Sequence, residues 1–189
     1  MASQAGRRLI VQKYGGTSVG SAERIIASAE RIAAFEQRIV DMFRAEWRLA
    51  GRSGAPATIA IVDDAPQEQY LYPEFLLFRE LFRRNGVSCD IADASRLEYD
   101  GAALRLAGEP VDLVYNRCTD FDLRDGAHAA LAAAYHADAV VLTPSPRHHA
   151  LYADKRNLVR LSDDAFLARI GASPAARRVL AAHVPRARI

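Results

Sequence analysis

Several features that define large classes of protein are missing from this 189-residue chain. It has only two cysteines, Cys89 and Cys118, and their spacing matches no common metal site. No apolar run reaches the roughly 18 residues that a membrane-spanning helix requires, and no secretory leader pattern opens the chain. The sequence therefore predicts a soluble, cytoplasmic protein whose two cysteines are buried free thiols.

An excess of charge of either sign is also missing. The formal net charge is +2, and the only lysines are Lys13 and Lys155. So small a charge gives no reason to expect a nucleic acid or a membrane as partner. We also predict no metal site, because the adjacent pair His148 and His149 point apart and no third ligand follows at metal spacing. Half of the residues are hydrophobic, so a buried core is expected.

A glycine-rich turn near the start of the chain is the strongest local motif. It lies in "VQKYGGTSVGSAERI", between a short apolar run and a helical pattern. Gly15 and Gly16 leave the backbone N–H groups open, and Thr17 and Ser18 add hydroxyls beside the positive end of the helix dipole. Lys13 can neutralise charge on a transferred phosphoryl group. The pattern favours a phosphate site, and the alternative is a glycine turn without a ligand.

An unusually long helix is predicted after this turn. Ser21 is a suitable N-cap, and no glycine or proline occurs before Gly51. The length suggests a join between two segments near residues 33–36. We therefore predict an arm of strand, glycine turn and long helix over residues 1–50, followed by an α/β domain over residues 51–189.

The larger part of the chain alternates between strand and helix patterns. This order is typical of an α/β fold, with a mostly parallel sheet and helices on both faces, Rossmann-like in type. Beyond residue 148 the pattern is mostly helical. The predicted elements are a strand at 58–64, a helix beginning near Pro73, a strand at 87–93, a hairpin around Asp100 and Gly101, a strand at 111–117, a helix at about 124–136 and a strand at 138–144.

Polar side chains follow two of the predicted strands. Asp63 and Asp64 end one strand, and Asn116 and Arg117 end another. Because ligands bind at the carboxyl ends of strands in open α/β sheets, these four residues are substrate-binding candidates. Arg117 suits a substrate carboxylate, which its planar guanidinium can bind through two hydrogen bonds. The alternative is a structural ion pair between the aspartates and Arg117 at the end of the sheet.

The opening motif resembles the N-terminal signature of the aspartokinases, in the amino-acid kinase family. The residues are Lys13-Tyr14-Gly15-Gly16-Thr17-Ser18, followed by Glu23-Arg24-Ile25, and the resemblance covers residues 9–33. It implies that Lys13 is catalytic and that Gly15, Gly16, Thr17 and Ser18 line a site for ATP, with Mg²⁺, and aspartate. The later glycine, acidic and lysine motifs of that family are not found.

Residues 35–189 resemble the region that precedes the nucleotide-binding lobe in a glutathione-synthetase-like ATP-grasp family. The segments "IAIVDDAPQEQYLYPEFLLF", "VDLVYNR" and "LTPSPRHHALYADKRNLVRLSD" carry this resemblance. It implies a pre-ATP-grasp domain that binds an amino acid or peptide-like substrate, with Lys155 and Arg156 near the entry to the ligase site. The ATP-grasp lobe itself is not found, so a missing lobe or another chain is an expected partner.

Three functional hypotheses follow from these patterns. The first is a pre-ATP-grasp-like domain of an ATP-dependent ligase, inactive alone, in a natural fusion, a chimera or a truncated reading frame. The second is an aspartokinase-type phosphotransferase that acts on the side-chain carboxylate of aspartate with Mg-ATP. The third is an oligomerising interaction module, in which the strand at residues 9–14 pairs with another chain.

Overall fold

A computed structural model of the protein describes residues 21–187. The chain divides into two compact units, Met1–Ala55 and Pro56–Ile189. The strand and glycine turn that we predict before Ser21 lie outside the described residues. The helices are α1 (Ala22–Leu49), α2 (Tyr72–Arg84), α3 (Ala129–His136), α4 (Pro146–Tyr152), α5 (Asn157–Leu161), α6 (Asp164–Arg169) and α7 (Pro174–His183).

Helix α1 is the main described element of the first unit, and it confirms the prediction of a long helix. It runs without interruption for 28 residues, so the expected join leaves no break in the helix. The side chain of Ser21 accepts a hydrogen bond from the backbone N–H of Arg24 and caps the start. After the helix, the indole N–H of Trp47 donates to the carbonyl oxygen of Ser53 at 3.0 Å, which fixes the turn.

The second unit contains a four-stranded parallel sheet and a small antiparallel sheet. The order in the parallel sheet is β2-β1-β6-β7, and the order in the antiparallel sheet is β3-β4-β5. This is the α/β fold with a mostly parallel sheet that the sequence predicts. The strands are β1 (Thr58–Asp63), β2 (Ser88–Asp93), β3 (Leu97–Tyr99), β4 (Leu104–Leu106), β5 (Glu109–Pro110), β6 (Leu113–Asn116) and β7 (Val141–Thr143).

Both faces of the parallel sheet are covered. Successive side chains of a strand point to opposite faces, so neighbouring residues of β6 separate the two layers. Tyr115 contacts Phe78 of α2, with ring centroids 5.1 Å apart. Val114 belongs instead to the core cluster that contains Leu131 of α3 and Leu104 of the small sheet. Helix α2 therefore covers one face, and α3 with the small sheet covers the other, as predicted.

The boundaries of α2 follow from two residues. Pro73 lies in the first turn, where its missing N–H leaves no hydrogen bond unmade. Gly86 lies just beyond the C-cap residue Asn85 with φ 78°, a left-handed conformation that suits glycine. The sequence pattern predicts Pro73 near the helix start and Gly86 at the C-cap, and in the structure Gly86 lies one position beyond the C-cap.

The small antiparallel sheet is closed by Asp100. Its carboxylate accepts hydrogen bonds from the backbone N–H groups of Ala102 and Ala103, both at 2.8 Å, and from Arg105 at 2.5 Å. Gly101 supplies the positive φ of the turn, at 91°. The predicted hairpin is therefore present, and β5 extends it to three strands.

The chain after the parallel sheet is helical, as predicted, and polar caps begin three of its helices. Ser145, Asp163 and Ser173 each accept a hydrogen bond from a backbone N–H in the first turn of α4, α6 and α7 respectively. Pro174 begins α7. Within the described part of the chain, every helix is too short or too polar to span a bilayer.

Candidate functional site

The order of the parallel strands places a topological switch point between β1 and β6. From β1 the chain moves to β2 on one side, and later to β6 on the other. A crevice forms at the carboxyl ends of two such strands because the connections leave them in opposite directions. Asp63 and Asp64 end β1, and Asn116 and Arg117 end β6. All four candidates predicted for this edge therefore lie around the switch point.

The two aspartates at the end of β1 have different environments. Asp63 is buried, and one of its carboxylate oxygens accepts the backbone N–H of Asp64 at 2.9 Å. Burial raises the pKa of Asp63 above its usual range. Asp64 has a half-exposed side chain, and its Oδ1 is 2.7 Å from Nε2 of His128. Only Asp64 therefore combines access from solvent with a charged partner.

His128 is the centre of a group that we call the His128 cluster: His128 with Asp64, Asp120 and Cys118. The imidazole side chain is only 2% exposed. Its Nδ1 is 2.9 Å from Oδ2 of Asp120, and its Nε2 contacts Asp64. Burial acts to lower the pKa of His128, but the hydrogen bonds and charges of the two carboxylates outweigh it and the pKa is raised. Ionised carboxylates only accept hydrogen bonds, so a protonated ring can donate to both Asp64 and Asp120.

Cys118 is the uncharged member of the cluster. Its side chain is buried, as predicted, and its thiol donates to the carbonyl oxygen of Val62 at 3.8 Å. Burial raises the pKa of this thiol to about 12, and the charges of Asp64 and Asp63 add to the effect. Cys118 is therefore not an activated nucleophile in this environment.

Arg117 lies on the other side of the switch point. Its Nη1 donates to the hydroxyl of Tyr115 at 3.0 Å, and its Nη2 is 3.6 Å from Oε1 of Glu74. The guanidinium carbon is 5.5 Å from the centre of the Phe75 ring. Among the described contacts, the ion pair of Arg117 is with Glu74 and not with the aspartates of β1. Aromatic neighbours therefore fix the direction of a guanidinium whose ion pair is long.

A crevice of about 520 Å³ opens beside Arg117, at the carboxyl ends of β6 and β7. This volume is in the range of small-molecule sites. The side-chain amide of Asn116 connects the ends of β6 and β7 by donating to the carbonyl oxygen of Pro144 at 3.2 Å. The ring of Phe121 stacks on His149, with centroids 3.8 Å apart and planes 11° apart. The residues that line the crevice are Asn116, Arg117, Cys118, Phe121, Pro144, Ser145, His148, His149, Tyr152 and Ala153.

Two other groups of predicted site residues are not in this crevice. Lys155 and Arg156 lie in the exposed connection between α4 and α5, and neither lines the crevice. Arg156 pairs with Asp154, with Nε and Oδ2 2.7 Å apart. The catalytic and ATP-binding candidates of the opening motif lie outside the described residues: Lys13, Gly15, Gly16, Thr17 and Ser18.

The His128 cluster is not among the sequence-based predictions. On sequence alone, Asp120 and Asp122 suggest an acid–base pair or a solvated loop, and the loop is the favoured interpretation. Asp122 fits that interpretation, since it pairs with the exposed Arg124, but Asp120 contacts the buried His128. A histidine within a predicted helix does not by itself indicate a functional site. The only hint was Asp125, which caps the short 3-10 turn Gly126–His128 and so fixes the position of the ring.

The fold and this edge together define a Rossmann-like α/β domain with a crevice of small-molecule size at the carboxyl ends of β6 and β7. A comparison with models of known protein families gave no match, and neither did a comparison with curated proteins.

Proposed function

We propose that the unit Pro56–Ile189 is a substrate-binding domain of an ATP-dependent ligase, in the manner of a pre-ATP-grasp domain, and that it acts in the cytoplasm. Its ligand is a small amino acid or peptide-like molecule that carries a carboxylate. The observation that carries the proposal is the guanidinium of Arg117, which lines the crevice at the carboxyl ends of β6 and β7 with its direction fixed by neighbouring aromatic rings.

Arg117 supports a carboxylate ligand more than a neutral one. The side chain is about a quarter exposed, and its described partners are one phenol and one distant carboxylate. A guanidinium has five N–H donors in a planar fork, so donors remain for an incoming carboxylate. Because the aromatic neighbours already hold the side chain, little of its conformational entropy is lost on binding.

The opposite wall of the crevice supports an extended organic ligand. The stacked rings of Phe121 and His149 form a flat apolar surface, and Tyr152 and His148 continue it. Asn116 and Ser145 add polar atoms at the end where the strands stop. One charged end and one apolar wall suit an amino acid or short peptide, whose carboxylate would pair with Arg117.

ATP and Mg²⁺ enter this proposal through the resemblance alone. In an ATP-grasp ligase the nucleotide is held mainly by a separate lobe. The partner that we propose for this domain is therefore such a lobe, or another chain that supplies it. The domain binds substrate and is inactive by itself.

Titration calorimetry of the full chain, in chelator, tests the ligand class. We expect glycylglycine or L-aspartate to bind and glycylglycinamide, which lacks the terminal carboxylate, to bind far more weakly. Arg117→Met should weaken carboxylate binding about 10- to 100-fold, the equivalent of a charged hydrogen bond. The control is Arg124→Met, because Arg124 is exposed in the next loop. Equal binding of the amide, or no loss in Arg117→Met, would overturn the proposal.

The aspartokinase alternative is carried by the opening motif and has its own test. Turnover of Mg-ATP that requires aspartate and is abolished by Lys13→Ala would establish that activity for this chain. Calorimetry with Mg-ATP, with Gly16→Val as the blocked variant, then places the nucleotide at the turn or elsewhere. The interaction-module alternative predicts a sedimentation coefficient that rises with protein concentration, and a monomer at every concentration removes it.

A further inference from the structure

Three residues of the His128 cluster form a set of metal-ligand types. Asp64 follows β1, Cys118 follows β6, and His128 ends the 3-10 turn before α3. One ligand atom from each lies within 4.8 Å of the other two: a carboxylate oxygen, Sγ and a ring nitrogen. Three separate segments thus bring an oxygen, a sulfur and a nitrogen together at the ligand-binding edge of the sheet.

The direction of the His128 ring is set by Asp120. The Asp120 carboxylate is held in place by the backbone N–H of Asp125, which donates to Oδ2 at 2.8 Å. The same oxygen is 2.9 Å from Nδ1 of His128. Nε2 therefore points toward Asp64 and away from Asp120. A carboxylate on the far nitrogen of a histidine is the usual support of a metal-binding imidazole, because it fixes both tautomer and orientation.

The charges around this position favour a cation. Asp93 interacts electrostatically with His128, and Asp63 interacts with Asp64. With Asp64 and Asp120, four carboxylates therefore lie at this edge of the sheet. Arg117, which acts on Asp63, is a nearby cation. Added positive charge at the ring would therefore be stabilised by a field that is already negative.

We infer that Asp64, Cys118 and His128 bind one divalent transition-metal ion of the zinc type, with a water molecule as the fourth ligand. The mixture of oxygen, sulfur and nitrogen selects Zn²⁺ over Mg²⁺ or Ca²⁺, which prefer oxygen alone. This site is not among the sequence-based predictions, which included no metal ligands in the protein.

The three ligand atoms need only a small rearrangement to reach the spacing of a tetrahedral zinc site. Ligand atoms at the usual zinc distances are roughly 3.3–3.8 Å from one another. Oδ1 of Asp64 and Nε2 of His128 are 2.7 Å apart, a hydrogen-bond distance. Metal binding releases two protons, the one shared by Asp64 and His128 and the one on the Cys118 thiol, and it moves Oδ1 and Nε2 apart by about half an ångström or more. The half-exposed Asp64 is the mobile partner for this movement, because His128 is buried.

The fourth position gives the ion access to ligands. Asp64 is open to solvent, and Cys118 also lines the crevice beside Arg117. Three protein ligands with one open position are the pattern of zinc sites that bind exchangeable molecules, whereas structural zinc sites have four protein ligands. An ion here would lie next to the ligand crevice without depending on the ligand proposed for it.

Cobalt substitution tests the site directly. The full chain, carrying no histidine tag, is titrated with Co²⁺, whose absorption reports four-coordination and whose near-ultraviolet charge-transfer band reports a thiolate ligand. We expect one Co²⁺ per chain, displaced by Zn²⁺. Cys118→Ser should lose the charge-transfer band. Cys89→Ser is the matched control, because Cys89 is the other buried cysteine and lies on β2, and it should keep the band.

Two further variants keep the test decisive if Cys118→Ser fails to fold. Asp64→Asn changes a half-exposed ligand and should weaken Co²⁺ binding at least about 10-fold. Asp120→Asn should weaken binding about 10- to 100-fold while the charge-transfer band is kept, because Asp120 orients the ring and is not a ligand. Absence of saturable Co²⁺ binding to the wild-type chain overturns the inference. So does a charge-transfer band that survives in Cys118→Ser or disappears in Cys89→Ser.

Discussion

The two ends of the parallel sheet use aspartate differently. At the amino ends of the strands, Oδ2 of Asp112 accepts the backbone N–H groups of Ala57 at 2.7 Å and Thr58 at 3.1 Å. At the carboxyl ends, Asp64 and Asp120 also contact the side chain of His128. Asp112 therefore connects backbone segments, whereas at the carboxyl ends aspartates hold an ionisable side chain as well.

This difference distinguishes a carboxylate that stabilises the fold from a carboxylate that can also bind a ligand. A carboxylate that accepts backbone N–H groups has fixed partners, because those donors cannot leave without unfolding the segment. A carboxylate that faces an imidazole can exchange that partner for a cation or a ligand. Substitutions at the two ends should consequently differ in kind: one end should change stability alone, and the other should change stability and binding together.

The largest expected effect comes from His128→Ala. In chelator, this change removes two charge-assisted hydrogen bonds and leaves a cavity around two carboxylates, so we expect a loss of about 3 kcal/mol in the free energy of unfolding. Urea unfolding followed by circular dichroism measures it. His149→Ala is the control, because His149 stacks on an exposed wall of the crevice, and it should cost less than about 1 kcal/mol. Similar losses of unfolding free energy in the two variants would show that the His128 cluster stabilises the fold no more than the crevice wall around His149 does.

Asp112→Ala should rank second, with a loss of about 2 kcal/mol for two backbone donors left without their acceptor. The backbone N–H of residue 112 is unaffected by the change, so its hydrogen bond to the Thr58 hydroxyl, at 2.9 Å, should remain. Asp112→Asn keeps an acceptor oxygen and should lose about half as much. Neither variant should change Co²⁺ or carboxylate binding under conditions where it is folded. Weakened binding in folded Asp112→Asn would contradict the separation of the two ends.

The small antiparallel sheet, beside the amino ends of the parallel strands, should make a pH-dependent contribution to stability. Hydrogen bonds from the Ala103 and Ala102 N–H groups, and then from Arg105, hold the pKa of the Asp100 carboxyl well below its usual range. A lowered folded-state pKa stabilises the fold above about pH 4, the unfolded value, and this contribution is lost as the pH falls further. Asp100→Asn should therefore be less stable than wild type at pH 7, and the gap should shrink in acid. Glu109→Gln, an exposed change in the same sheet, should show no such convergence.

The fold was largely predictable because its signals are local. Buried runs such as residues 58–63, Pro73 at a helix start and Gly86 just beyond a helix end each specify their own element. Strand ends can also be placed from such runs, which is why Asp64 and Arg117 were found. Alternation then fixed the class of sheet.

The His128 cluster was not predictable because it depends on contacts across 64 residues of sequence. Asp64 and His128 meet only after β6 pairs with β1 and the following loop folds back over the sheet edge. Cys118 was correctly predicted to be buried, but burial alone does not reveal what surrounds a thiol. The partner of Arg117 was likewise hidden, since Glu74 comes from the first turn of α2.

The smallest expected effect is a gain in stability at the carboxyl end. Ala65, directly after Asp64, has φ 41° and ψ 57°, a left-handed conformation that costs a residue with a Cβ roughly 1–2 kcal/mol. Its N–H donates to Oδ2 of Asp93 at 2.8 Å, which holds the strained backbone in place. Ala65→Gly keeps this hydrogen bond and relieves the strain, but it adds entropy to the unfolded chain. We expect a net stabilisation of about 0.5 kcal/mol, measured by urea unfolding in chelator.

The control is the opposite substitution, Gly86→Ala, at another residue with positive φ. At Gly86 φ is 78°, and an added Cβ would meet nothing within 4 Å. It should destabilise the protein by about 1 kcal/mol through backbone conformation alone. If both changes are destabilising, the left-handed backbone at Ala65 is not strained, and the position of Asp64 does not depend on it. If the signs are opposite, strain is stored beside a proposed metal ligand. Weaker Co²⁺ binding in the stabilised Ala65→Gly variant would then connect that strain to the position of Asp64.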